Sequence, residues 1–221
     1  MKEVLDFLSD LRENNHSVWF QENKERYQGA REKFLMLTRG LIEGVHQFDG
    51  SIPLMEPKDC MFRIFRDVRF SKDKTPYKVN FGSFICNGGR NSCRSGYYIH
   101  FEPGASFIGG GIYMPPVNVL KAIRQEIYDN PEEFLSIIQD ENFKKIYPDL
   151  YSEDKLKMAP KGFPKEFEHI DLLKYKSYTC MTPLDERIIN SPDLIDHVLE
   201  SFRIMMPFNA FLNRGIDYWA E

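Results

Sequence analysis

Apolar residues at helical spacing open the chain. Val4, Leu8 and Leu11 recur every three or four positions, which predicts a first helix that ends near Asn14. A second and longer helix is predicted to begin at Ser17, whose short side chain is a suitable N-cap. The apolar stripe of this helix comprises Tyr27, Ala30, Phe34, Leu37, Leu41 and Val45.

A different period begins after residue 60. Apolar and charged residues alternate from Met61 to Arg66, as they do in a half-buried strand. From Asp67 onward, turn formers such as Ser71 and Pro76 replace the alternation. The pattern therefore predicts a strand that leads into a loop.

Three further runs have the composition of strands, and they cover 79–86, 97–102 and 107–114. Gly-Gly at 88–89 and Pro-Gly at 103–104 favour turns between them. Together with 61–66, the simplest arrangement is an antiparallel meander of four strands. A fifth strand is predicted over 172–181.

Alternation within these runs assigns the two faces of the sheet. The side chains expected in the core are Val79, Phe81, Ile85, Tyr97, Ile99 and Phe101. The opposite face is expected to carry Arg63, Asn80, Tyr98, His100 and Glu102. Because an imidazole beside a carboxylate can transfer protons, His100 and Glu102 are the candidate catalytic residues.

The carboxy-terminal half is predicted to be mainly helical. Helices are expected after Pro115-Pro116, at Asn130-Pro131 and at Ser191, and Pro207 is expected to open a last, separate helix. The predicted fold class is α+β, with an antiparallel meander sheet of four to five strands, helices packed on one face, and helical amino- and carboxy-terminal regions. Without a linker or a repeat, the chain is predicted to form one domain over 1–221.

The glycine run at 109–111 has two interpretations. Glycine allows close approach of backbone to a ligand, but it also marks bulges and places where another element crosses a strand. The sequence contains neither a G-x-G-x-x-G pattern nor a P-loop. We therefore favour the structural interpretation and predict no cofactor.

Composition narrows the class of protein. The 221 residues are 42% hydrophobic and 28% charged, as in soluble globular proteins. A net charge of -4 and a pI near 5.8 argue against nucleic acid as the partner. No apolar run reaches membrane-spanning length and the amino terminus lacks a signal-peptide core, which predicts a cytoplasmic protein without a membrane partner. The oligomeric state stays open.

The four cysteines are Cys60, Cys86, Cys93 and Cys180. None belongs to a C-x-x-C pair, so neither a zinc ribbon nor a thioredoxin motif is indicated. We expect reduced, partly buried thiols and no metal site.

The strongest functional signal is a concentration of positive charge. Between Arg63 and Lys78, six cations accompany two anions in a chain whose net charge is -4. Such a segment repels itself unless an anion or water compensates it, which predicts an anion-binding site. The candidate ligand-binding residues, including Tyr98 from the sheet and Arg124 from a following helix, are Arg63, Arg66, Arg69, Lys72, Lys74, Tyr77, Lys78, Tyr98 and Arg124.

The chain resembles the bacterial domain-of-unknown-function family 2461 in the segment FRIFRDVRFSKDKTPYKVNFGSFI. The upstream stretch NNHSVWFQENKERY and the downstream stretches GGGIYMPP, VLKAIRQEI and LLKYKSY extend the resemblance over nearly the whole chain. The core RDVRFSKDKTPYK is its most specific part. The family has no established activity, so the resemblance implies a shared fold and a shared site around the basic loop, and no reaction.

Three classes of function agree with these observations. The first is a binding module whose basic loop holds a phosphate or carboxylate ligand. The second is an enzyme that acts on such a ligand, with His100 or Glu102 as general acid or base. The third is a structural or interaction role, in which Asp67 and Asp73 pair with the arginines of the loop.

Overall fold

The computed structural model describes residues 1–219, and its elements are as follows. The α-helices are α1 (Lys2–Glu13), α2 (Ser17–Glu22), α3 (Lys24–Phe48), α4 (Pro57–Cys60), α5 (Val117–Asp129), α6 (Pro131–Ile138), α7 (Glu141–Ile146), α8 (Ile170–Leu173), α9 (Glu186–Ile189) and α10 (Leu194–Trp219). The strands are β1 (Phe81–Ile85), β2 (Gly96–Phe101), β3 (Phe107–Ile112) and β4 (Tyr178–Pro183).

The four strands form one sheet in the order β1-β2-β3-β4. It is an antiparallel meander with helices packed around it, and the amino- and carboxy-terminal regions are helical. The predicted α+β class is therefore confirmed. So is the assignment of faces at Phe81, Tyr97, Ile99 and Phe101, which are all buried.

The predicted strand over 61–66 is wrong. This segment makes only isolated antiparallel bridges, from Met61 to Ser83 and from Phe65 to Tyr77. Both bridges reach one downstream segment, 77–83, but the four steps from 61 to 65 lie opposite six steps from 77 to 83, so the register slips by two residues and no continuous ladder forms. The fourth strand of the sheet is β4 instead, and the first part of the predicted 172–181 strand belongs to helix α8 and the turn after it.

Two predicted helices also have different limits. The helix predicted from Ser17 is interrupted at Asn23, whose side-chain amide donates to the carbonyl of Trp19 at 3.0 Å. The N-cap of α2 is His16, since its Nδ1 accepts from the Trp19 amide at 3.3 Å. Local side-chain bonds of this kind compete with the helical pattern and end it.

Pro207 does not open a separate helix, because it lies inside the continuous helix α10. Proline removes one backbone hydrogen bond from a helix interior. On either side of it, Met205, Phe208 and Phe211 are buried. Packing of this apolar face keeps α10 helical despite the proline.

The described chain divides into two compact units. The first unit contains 1–90, 98–108 and 183–200. In its core, the Phe34 ring packs against the rings of Phe81 and Phe101 at centroid distances of 5.5 and 5.4 Å, and the buried hydroxyls of Thr38 and Ser83 hydrogen-bond at 2.9 Å. These contacts hold helix α3 against β1 and β2.

The second unit contains 91–97, 109–182 and 201–221, of which the structure describes residues up to 219. Its core is aromatic, with Phe134 packed against Phe211 at 5.1 Å and Phe143 packed against Phe208 at 5.7 Å. The expectation of a single domain stays a prediction.

The glycines at 110 and 111 belong to this second unit and have a packing role. A Cβ atom on Gly110 would meet the carbonyl of Gly96 and the sulfur of Met205. Gly111 has φ +98° and lies against the carbonyl of Tyr178, so a side chain there would meet both strain and a clash. These contacts support the structural interpretation of the glycine run.

Among residues 1–219, no helix combines the length and the apolar character that a bilayer crossing requires.

Candidate functional site

The basic segment forms a hairpin-like loop in the first unit. Its two sides are joined by the bridge between Phe65 and Tyr77, by a bond from the Arg66 amide to the Pro76 carbonyl at 3.0 Å, and by a bond from the Lys78 amide to the Ile64 carbonyl at 2.7 Å. Arg66 and Lys78, twelve positions apart in sequence, therefore lie on adjacent strands of backbone at the base of the loop.

Tyr77 anchors this base. Its backbone exchanges two hydrogen bonds with the side chain of Asn15, which donates to the Tyr77 carbonyl at 3.0 Å and accepts from the Tyr77 amide at 3.1 Å. The Tyr77 ring is buried and stacks on Phe20 at 4.0 Å, with an angle of 11° between the ring planes. The aromatic ring of Tyr77 is thus used for packing.

A surface pocket of about 660 Å³ lies beside this base. The residues that line it are Arg12, Asn15, Arg66, Asp67, Asp73, Thr75, Tyr77, Lys78, Val79 and Asn80. Three predicted ligand-binding residues are among them, namely Arg66, Tyr77 and Lys78. The lining carries three cationic and two acidic side chains.

Arg66 is held by the far side of the loop. Its Nη1 donates to the Asp73 carboxylate and, at 2.7 Å, to the Thr75 hydroxyl. Asp73 in turn accepts from the Thr75 amide at 2.9 Å and from the Thr75 hydroxyl at 2.8 Å. The Thr75 amide and hydroxyl, followed by Arg66, lower the pKa of Asp73 to about 2, so this carboxylate stays ionised.

The other cations of the segment do not line the pocket. Arg69 forms a bidentate pair with Asp67, at 3.0 and 2.7 Å, and this guanidinium lowers the pKa of Asp67. Lys74 donates to the Val68 carbonyl at 2.9 Å. Arg63 and Lys72 are exposed and form no hydrogen bond or ion pair within residues 1–219. Of the six cations between Arg63 and Lys78, only Arg66 and Lys78 line the pocket, and the other four are distributed around the loop.

Lys78 differs from all of these. It is half-buried, its Nζ lies 5.6 Å from the centre of the Phe62 ring, and no carboxylate among residues 1–219 forms an ion pair with it. Burial lowers the pKa of its ammonium group, and the positive charges of Arg63 and Arg66 lower that pKa further. The site therefore contains one positive charge that its surroundings leave uncompensated.

A chain of hydrogen bonds follows strand β2. The Tyr98 hydroxyl and His100 Nδ1 are 2.9 Å apart, and His100 Nε2 lies 3.0 Å from Glu102 Oε2. Arg12 Nη2 lies 3.4 Å from the other oxygen of Glu102 and donates to the Pro103 carbonyl at 2.9 Å. Tyr98, His100 and Glu102 are not among the residues that line the pocket, whereas Arg12 is.

Burial is the main cause of the pKa shifts of Tyr98 and His100. It raises the pKa of Tyr98 to about 12, with a smaller contribution from the charge of Glu102. It also lowers the pKa of His100, which Glu102 opposes and Lys78 supports. Near pH 7 the imidazole is therefore neutral, with its ring packed 4.6 Å from that of Phe107.

Arg124 lies in the second unit, on helix α5. It is buried and donates to the Tyr175 carbonyl at 2.8 Å, while its Nε has no hydrogen-bond partner. It is not among the residues that line the pocket.

Sequence reasoning missed Arg12 and Asn15, and it assigned Val79 to the core although this half-buried residue also lines the pocket. Arg12 lies in the last turn of helix α1 and Asn15 follows that helix, 51 and 48 positions before Arg63. Arg12 stands in no motif, and Asn15 stands only in the stretch NNHSVWFQENKERY, which does not indicate a contact with the loop. The packing of α1 beside the loop brings both residues to the pocket. Asn80 was expected on the polar face and does line the pocket.

The described residues contain no group of three or more histidine, cysteine or acidic side chains arranged to hold a metal ion. All four cysteines are free thiols, and Cys93 alone among them is exposed.

Comparison with known proteins places the chain in a family. The model of the family described as "Conserved hypothetical protein (DUF2461)" matches residues 3–211. The chain therefore belongs to this family. No curated protein and no solved structure matches it.

Proposed function

We propose that this DUF2461 protein binds a small anionic ligand, bearing a phosphate or a carboxylate, in the pocket at the base of the basic loop. One observation carries the proposal: Lys78 is half-buried in the wall of a pocket and has no acidic partner among residues 1–219. Burial of a charge without a partner is costly, and a bound anion would remove that cost.

Two other lining residues, Arg66 and Arg12, can add directional hydrogen bonds to the charge of Lys78. The hydrogen bonds of Arg66 use Nη1 alone and those of Arg12 use Nη2 alone, so each guanidinium keeps further N–H groups that bond to nothing within residues 1–219. A guanidinium presents its donors in a planar fork that matches a carboxylate or a phosphate. Lys78 would supply the central charge, and the two arginines the geometry.

The two acidic residues of the lining do not cancel this field. Asp67 is engaged by Arg69, and Asp73 by Arg66 and Thr75. Their charges are thus compensated inside the loop, and they would hold the loop in place around the ligand.

The test is thermal unfolding with inorganic phosphate and with citrate. A ligand that binds only the native state raises the stability by RT ln(1 + [L]/Kd), which is about 2.7 kcal/mol at a hundredfold excess over Kd. We expect a concentration-dependent increase in Tm for the wild type and none for Lys78→Gln. Lys72→Gln is the matched control, since Lys72 is exposed in the same loop and forms no hydrogen bond or ion pair within residues 1–219. An equal loss in both variants, or no increase in the wild type, would contradict the proposal.

The pairs Asp67–Arg69 and Asp73–Arg66 support a second candidate, a structural role for the loop. In that case Arg66→Ala and Asp73→Ala would both lower the Tm, and no anion would raise it. If the pocket binds an anion, Arg66→Ala weakens the response to phosphate. An acid–base role of His100 and Glu102 stays a prediction, since the pocket is lined by neither.

A further inference from the structure

Lys78 is positioned differently from a lysine that only supplies charge. Its backbone is fixed by the bond to Ile64 at 2.7 Å, next to the anchored Tyr77. One side of its ammonium group faces the Phe62 ring, and two arginines, Arg63 and Arg66, are close enough to act on its charge. The amine therefore lies in an apolar and positively charged surrounding at the wall of a pocket.

Burial and neighbouring positive charges favour the neutral, nucleophilic form of an amine. Lysines become reactive toward carbonyl groups when they are desolvated or placed beside another cation. Lys78 meets both conditions, because burial and the neighbouring charges of Arg63 and Arg66 each lower its pKa. Lys78 in turn lowers the pKa of His100, the imidazole in the hydrogen-bond chain along strand β2.

We propose that Lys78 is a nucleophile that condenses with the carbonyl group of a small anionic aldehyde or ketone held in the pocket, and forms a Schiff base. This inference rests on the proposed function, because Arg66 and Arg12 would hold the anionic group of the same compound. The substrate class is accordingly an oxo acid or a phosphorylated carbonyl compound.

The reaction balances without an oxidant or a reductant. The lone pair of the neutral Lys78 amine attacks the carbonyl carbon, and the electrons of the C=O double bond move to oxygen. Transfer of a proton from nitrogen to that oxygen gives a carbinolamine. Loss of the hydroxyl group with the second amine proton releases one water and leaves the C=N bond.

The experiment uses the full-length protein with glyoxylate as the probe and sodium borohydride as the trap, which converts the Schiff base to a stable secondary amine. Peptide mapping of the wild type should find the label at Lys78 in preference to the other lysines. Inorganic phosphate should compete with the labelling, and acetaldehyde, which lacks an anionic group, should label Lys78 less.

Lys78→Arg keeps the positive charge but removes the nucleophile. It should lose the label to the level of borohydride alone. Lys72→Arg, at an exposed position of the same loop, should be labelled as the wild type is. Label spread over exposed lysines, or equal labelling by acetaldehyde, would overturn the inference, and the mapping of wild type decides this even if Lys78→Arg does not fold.

The two proposals fail in different ways. If phosphate stabilises the wild type and Lys78 is not trapped, the amine chemistry is wrong and anion binding stands. If neither phosphate nor citrate stabilises it, the proposed function itself is wrong.

Discussion

Each unit contains a cluster of charged side chains, and the two clusters differ in how many of these side chains have a partner of opposite charge. In the second unit, Arg214 donates to Glu126 at 2.7 Å and to the two oxygens of Glu133 at 2.8 and 2.6 Å. The buried carboxylate of Glu126 also accepts from Asn130 at 3.0 Å and from the Trp219 indole at 3.3 Å. In the first unit, Lys78 is half-buried beside a pocket and has no carboxylate partner within residues 1–219.

The difference separates a structural network from a candidate site. Every charge around Arg214 is used by a neighbour, so removing one member exposes another to an unfavourable surrounding. The charge on Lys78 is paired with no carboxylate among the described residues, and its one cation–π contact is with the Phe62 ring. A half-buried cation without a partner of opposite charge lowers the stability of the fold unless a bound anion compensates it.

The largest expected effect is the loss of Glu126. In Glu126→Ala the Trp219 indole and part of the Arg214 guanidinium lose their acceptor, while Glu133 still pairs with Arg214. We expect a decrease in the free energy of unfolding of roughly 2–4 kcal/mol, since breaking a buried pair is costly. Chemical denaturation measures it. Asp129→Ala, on the same helix but exposed, is the control and should change the stability little. If Glu126→Ala and Asp129→Ala lowered the stability equally, the cluster around Arg214 would not be a stabilising network.

Substitution of Lys78 is expected to change the free energy of unfolding in the opposite direction. Lys78→Met replaces the amine by an apolar side chain of similar length beside Phe62, and should leave stability unchanged or raise it by up to about 1 kcal/mol, because a charge is no longer buried. The same denaturation curves report this change, with Lys72→Met as the exposed control. A clear loss of stability would mean that Lys78 is part of a structural network.

A smaller effect concerns the titration of His100, which NMR measures directly. Its pKa should lie below the ordinary value, so that between the two values the unfolded chain binds more protons and stability rises with pH. Glu102→Gln should lower this pKa further, and Lys78→Met should raise it, because the two charges act in opposite directions. Identical titrations in both variants would show that Lys78 and Glu102 do not act on His100.

The smallest effect is the titration of Asp73. Its pKa is lowered to about 2, so the stabilising effect of its charge is present above its ordinary pKa and is lost as the pH falls toward 2. Thr75→Val removes the hydroxyl donor but keeps the backbone N–H, and should raise the pKa of Asp73, as seen by carboxyl NMR. Asp185, whose pKa Arg187 lowers to about 2, should not change and serves as the internal control.

Prediction from sequence succeeded where the structure depends on local periodicity. The buried residues of β1 and β2 follow from alternation, because neighbouring side chains of a strand point to opposite faces. It failed over 61–66, where the same alternation occurs in a segment whose pairing with 77–83 changes register between its two bridges. It also failed at Pro207, because the burial of Phe208 and Phe211 outweighs the preference of proline against a helix interior.

The sequence by itself determined the α+β class, the buried faces of the strands and the concentration of positive charge between Arg63 and Lys78. These properties depend on residues that are close together in the chain. Only the tertiary structure decided which of those cations are compensated. Arg66 pairs with Asp73 and Arg69 pairs with Asp67. All four residues lie within seven positions of one another, and their spacing alone does not determine these pairs. Lys78 lines a pocket with Arg12 because helix α1 packs beside the loop, and contacts between distant segments leave no pattern in a single sequence.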